Sequence, residues 1–108
     1  MTPGAVFRFG LDGEHKGLGQ VLAIDGDAIA VALADGVWAC APDAESWRDA
    51  GRAVDHLVLR RHRLNGVEWV GEAPLEAEAT AAHARWLAGD RAVVDAPPAA
   101  LLTVLLDG

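Results

Sequence analysis

The sequence predicts an α+β fold: a strongly bent antiparallel sheet, or a small SH3-like barrel, with one or two helices. Three observations lead there. Short β-favouring runs alternate with tight polar turns over residues 6–40. The apolar period changes to a helical one over residues 75–88. Between these lies Asn65-Gly66, the strongest hairpin signal in the chain. The 108 residues suffice for a single domain spanning 1–108.

The elements follow in order. Val6 to Phe9 opens as a strand, with Phe7 and Phe9 on one face because strand side chains alternate. After the polar tip Asp12-Gly13-Glu14-His15-Lys16, residues 17–24 return. Gly19, Val21 and Ala23 share one face of that strand; Leu18, Gln20 and Leu22 share the other. Asp25-Gly26-Asp27 turns into a strand over 28–33, and Ala34-Asp35-Gly36 turns into another over 37–40. Pro42, acids in a first turn and Gly51 beyond the end bracket a short helix over 43–50, with Trp47 as its anchor.

Residues 54–64 resume as a strand, Asn65-Gly66 turns, and 67–71 return, with Val67 and Trp69 facing one way. Leu75, Ala79, Ala82 and Trp86 then form one helical stripe, started after Pro74 and stopped by Gly89. Trp69 and Trp86 are therefore expected in one core. Residues 91–94 read as a short strand. The closing apolar run, 101–106, is ambiguous by periodicity; Thr103, Val104 and the preceding Pro97-Pro98 favour a strand.

Net charge is −7, from 9 basic and 16 acidic residues. That sign argues against a nucleic-acid binder, whose affinity comes largely from cations on phosphates. It suits a soluble protein or one attracted to a basic partner. Cys40 is single, so no intramolecular disulfide forms, and a reducing compartment fits. The N-terminus lacks a signal-peptide pattern and no apolar run has membrane-spanning length. The expected location is the cytoplasm, with no membrane association.

No catalytic motif is present. Cys40 ends an apolar run with no neighbouring cation, which reads as a small buried core residue. Ser46, the only serine, lies inside a helix without a glycine elbow. His15, His56, His62 and His83 are scattered, and Asp25-Gly26-Asp27 lacks the further carboxylates of a calcium loop. No catalytic residue, metal ligand or cofactor is assigned. Arg60-Arg61-His62-Arg63 is the one basic cluster and a candidate contact for phosphate or an acidic partner. The acids are the stronger candidates for partner binding. Glu45 and Asp49 share a helix face beside Asp43 and Trp47, the last as the aromatic anchor for a partner, and Asp12 and Glu14 occupy a hairpin tip.

Two stretches carry a family resemblance: Val6 to Leu22, with its tip and its glycine-led return strand, and Gly66-Val67-Glu68-Trp69-Val70-Gly71-Glu72-Ala73-Pro74-Leu75. Both are similar to the immunity protein 26 family of bacterial polymorphic toxin systems. The resemblance implies a cytoplasmic, non-catalytic protein that binds and neutralises a cognate toxin, here a basic toxin domain. It transfers no binding or catalytic residues. The alternatives are a barrel-like interaction module with another partner and, further off, a small hydrolase or ligand-binding subunit.

Overall fold

The apolar runs pair into one antiparallel sheet in the computed structural model, which describes residues 1–107. Its strands are β1 (Ala5–Gly10), β2 (Lys16–Asp25), β3 (Ala28–Ala34), β4 (Arg52–Arg60) and β5 (Glu68–Glu72). Helix α1 (Ala44–Asp49) lies between β3 and β4; α2 (Ala77–Ala88) and α3 (Pro98–Asp107) follow β5. The strand order is β4-β3-β2-β1-β5. The fold is thus α+β as expected. Its sheet is open rather than closed into a barrel, and it carries three helices instead of one or two. Register shifts in the β1–β5, β2–β3 and β3–β4 pairings mark bulges, which bend and twist a sheet.

The first hairpin forms where the glycines allow it. Phe7 sits opposite Gly19 and Phe9 opposite Gly17. Each ring lies across its glycine; a Cβ added at Gly17 would fall 2.6 Å from the Phe9 ring. The turn between β2 and β3 is a two-residue loop with Gly26 at φ +62°, the conformation for which glycine is suited.

Alternation then sends the two faces of the sheet into separate cores. Val6, Leu18, Leu22, Ala30, Ala32 and Val58 pack beneath α1 and α2 with Trp47. Phe7, Val21, Ile29, Val31, Leu33 and Leu59 pack on the opposite side against Leu102 of α3 and Leu64. Gln20 is the one polar side chain buried among the described residues, 2% exposed. Its amide donates to the carbonyls of Gly4 (3.3 Å) and Ala73 (2.8 Å), tying the start of β1 to the end of β5.

Several elements depart from the sequence reading. Asn65-Gly66 does not close a hairpin. Residues 61–64 form a 3-10 turn, and β5 crosses to the far edge to pair with β1. Neither residue adopts a positive φ, so the signal is unused. One side of β4 is bonded to β3, and on the other the Val94 amide donates to the Val58 carbonyl (2.8 Å); β1 offers the free edge. Of the strand expected over 37–40, only Trp38 bridges, to Lys16. Of that over 91–94, only Val94 bridges, in parallel to Leu59. The closing run is helix rather than strand. Its leading Pro98 occupies a position where no amide is missed, and Leu102 fills the second core. The Thr103 hydroxyl donates to the Ala99 carbonyl (2.8 Å), which removes the β-branched residue's objection to a helix.

The tryptophans divide differently as well. Trp47 is buried at 1% exposure, whereas Trp69 is 44% exposed at the β5 edge, packed edge-on against Phe7 (5.8 Å). Trp86 is half-buried beneath α2 in the other core, so the two do not share one. The stripe of Ala79, Ala82 and Trp86 does face inward, but Leu75 precedes the helix and is exposed.

Two stability outcomes follow. Gly19→Ala is expected to lower stability by about 1–3 kcal/mol because the Phe7 ring occupies the Cβ position; Gly13→Ala, in open space, should change it little. Trp47→Ala is expected to cost about 3–5 kcal/mol, and Trp69→Ala markedly less. Urea midpoints of the four variants check both; equal losses at Trp47 and Trp69 would contradict the burial pattern.

Candidate partner-binding surface

The acidic residues on α1 separate into builders and bystanders. Asp43 caps the helix: its carboxylate accepts from the amides of Glu45 (3.0 Å) and Ser46 (3.2 Å), and its own amide donates to the Ser46 hydroxyl (3.3 Å). This capping box satisfies amides that a six-residue helix would otherwise leave open. Glu45 and Asp49 lie on the exposed side and enter no ion pair among the described residues. Trp47 points the other way, into the sheet. Its expected role as an anchor for a partner is therefore corrected: the ring pins α1 down.

Arg52 fixes that pin. Its guanidinium lies 3.7 Å from the centre of a Trp47 ring. It donates to the carbonyls of Trp47 (3.1 Å) and Ala50 (2.7 Å) at the helix C-terminus, where a cation is favoured. Its other nitrogen donates to Glu76 (3.2 Å), just before α2.

At the hairpin tip, Asp12 also builds structure. Its carboxylate accepts from the amides of Glu14 and His15, both at 2.8 Å, and meets the His15 ring at 3.1 Å. The Glu14 amide, then the His15 contacts, hold the Asp12 carboxyl below its ordinary range. Glu14 is left exposed and unpaired among the described residues.

The basic cluster is consumed internally. Arg63 donates to Asp95 (2.8 Å), His62 lies 3.3 Å from the same carboxylate, and Arg60 reaches Asp27 (3.3 Å). Arg61 donates to the Gly26 carbonyl (3.0 Å). The hydrogen bond from Arg63, then the surrounding cations, hold Asp95 below its ordinary range. Because residues 61–64 form a 3-10 turn, these side chains do not alternate as they would along a strand. Arg8 is spent too, donating to Glu68 and to the Pro42 carbonyl (3.1 Å); the Glu68 carboxyl is likewise held low by Arg8.

Two chemistry-bearing groups sit elsewhere than the sequence suggests. Cys40 is exposed in the loop before α1, not buried. His56 of β4 and His83 of α2 meet at 3.2 Å, beside Trp86. Their separation of 27 positions, on elements of different period, hides this pairing from sequence inspection. No hydrogen bond joins either imidazole to Ser46 or Cys40 among the described residues. No helix there is long and apolar enough to cross a membrane.

Asp43→Ala should lower stability by about 1 kcal/mol, measured by urea denaturation, and reduce helical signal from α1. The depressed carboxyls Asp12, Glu68 and Asp95 bind fewer protons folded than unfolded in mild acid. Their contribution is fully present above the ordinary carboxylate value of about 4 and is lost as pH falls below it, through the lowered folded values. Asp95→Asn should flatten that loss in a pH series of melting temperatures; an unchanged slope would remove Asp95 from the account. No family model, curated protein or solved structure matches this chain.

Proposed function

We propose that this chain is a non-catalytic protein-binding module with an acidic docking surface, acting as an immunity protein against a basic toxin domain. The observation that carries the docking surface is a charge asymmetry. Arg8, Arg52, Arg60 and Arg63 are ion-paired within the chain, whereas exposed Glu14, Glu45 and Asp49 enter no ion pair among the described residues, and on α1 the two acids outnumber the one unpaired cation, Arg48. A net charge of −7 is thereby expressed outward, where it steers a basic partner and raises the encounter rate. Trp69 supplies the aromatic contact that Trp47 cannot. It is the exposed tryptophan, held by Phe7 at an open sheet edge, and tryptophan is enriched among residues that carry binding energy. The partner class rests on the resemblance of residues 6–22 and 66–75 to immunity protein 26 members. Such a protein would act in the cytoplasm, needing no cofactor.

Association kinetics with the product of a toxin gene sought beside this one test the reading. Glu45→Lys with Asp49→Lys should slow association about tenfold or more at low salt, an effect erased at high salt. Trp69→Ala should mainly speed dissociation. Salt-independent association with silent charge reversals would sink the acidic surface. Absence of any binding to the neighbouring toxin would sink the immunity assignment.

A further inference from the structure

The His56–His83 contact is geometrically specific. Nε2 of His56 and Nδ1 of His83 are 3.2 Å apart, and the ring centres are 5.4 Å apart. That centre-to-centre span nearly equals the nitrogen separation extended through both rings, so one N–H points along the other ring's lone pair. No set of three metal-ligating side chains occurs among the described residues. The pair is an N–H···N hydrogen bond, which requires one nitrogen to lack a proton.

The surroundings add to this requirement. Arg85 of α2 brings a further positive charge to His56. Asp55 of β4 and Glu78 of α2 line the adjoining recess with Arg85. Arg52 and Glu76 are paired with each other at the start of α2. Beneath the helix, β2 presents only the neutral Gln20 and Leu22. Beyond the helix, Asp90 accepts from the Ala92 amide and Arg91 donates to the Leu87 carbonyl. Trp86 stacks on His83 (5.4 Å, 17°) and donates to the Ala92 carbonyl (2.7 Å).

Helix α2 depends on this contact because little else holds it. None of its residues is buried, and Ala79 and Trp86 are its partners in the core. A helix of twelve residues is marginal in water without docking. We propose that the His56–His83 pair is a proton-operated latch, holding α2 on the sheet at neutral pH and releasing it when both imidazoles become charged in mild acid. A single proton strengthens the bond between the rings; a second sets two donors and two positive charges face to face. Burial first, then His83 and Arg85, hold His56 below the ordinary histidine range. The folded state therefore binds fewer protons than the unfolded one below about pH 6.5, and stability is lost as pH falls below that value. The inference does not depend on the identity of any partner.

Amide hydrogen exchange on the purified protein, corrected for intrinsic rates, tests it. Between about pH 7.5 and 5.5, protection of the α2 amides should fall about tenfold while β2 and β3 keep theirs. His15 and His62 sit on other elements, beside Asp12 and Asp95, so the local readout separates them from the pair. Both His83→Gln and His56→Gln keep hydrogen-bonding capacity without charge; His56→Gln should abolish the response, and His83→Gln, which leaves burial and Arg85 acting on His56, should reduce it. Two well-separated imidazole titrations by NMR in the unmodified protein would support the latch independently of either variant. Unchanged α2 protection, a parallel loss across the sheet, a response that persists in folded His56→Gln, or one undiminished in folded His83→Gln would overturn it.

Discussion

The central strands are buried on both faces, and most of the architecture follows from that constraint. Strand β3, Ala28-Ile29-Ala30-Val31-Ala32-Leu33-Ala34, is apolar at every position, so neither side can face water. Small residues (Ala30, Ala32, Ala34) point to the side where Trp47 docks; larger ones (Ile29, Val31, Leu33) point to the side closed by Leu102. An antiparallel meander alone would leave one of these faces wet. Helices α1 and α2 cover one and α3 covers the other, although all three are short and none would persist alone. The same constraint explains Gln20: an amide so deep is tolerated because two carbonyls at the β1 and β5 termini accept from it.

Covering both faces with short helices places the burden on a few fasteners. Arg52 is the chief one. It closes the C-terminus of α1, stacks on Trp47, and pairs with Glu76 where α2 begins. At 14% side-chain exposure it is screened less by solvent than the surface pairs around Asp95. The capping box of Asp43 and Ser46 performs the matching task at the other end of α1. Helix α2 has no equivalent clamp along its length, which is why the imidazole pair matters there.

The fasteners also determine which charges face outward. Several cations are drawn inward to carbonyls and carboxylates: Arg61 to Gly26, Arg63 to Asp95, Arg8 to Pro42 and Glu68. Of the acids, Asp12 and Asp43 are committed to turns and caps, and Glu14, Glu45 and Asp49 remain at the surface. An outward-facing set of acids left this way is a consequence of folding rather than a motif, so its members resemble ordinary solvated carboxylates when read along the chain.

Local physics was legible in the sequence. Phe7 and Phe9 on one strand face, the turn at Gly26, the short helix over 43–50 and the inward stripe of Ala79, Ala82 and Trp86 each depend on neighbours a few positions away. So did the sign of the surface charge. What the chain alone did not decide was competition for edges and faces. Asn65-Gly66 has hairpin chemistry, but β5 pairs with β1 across the sheet, because a turn's preference is worth less than the ladder and packing available elsewhere. Residues 101–106 carry β-branched character, yet they form helix because an uncovered apolar face needed Leu102. Which tryptophan is buried, and which histidines meet, depend on contacts between residues far apart in sequence. Side-chain period along one segment records which way a residue faces, not what it will find there; only the tertiary structure supplies the opposing surface.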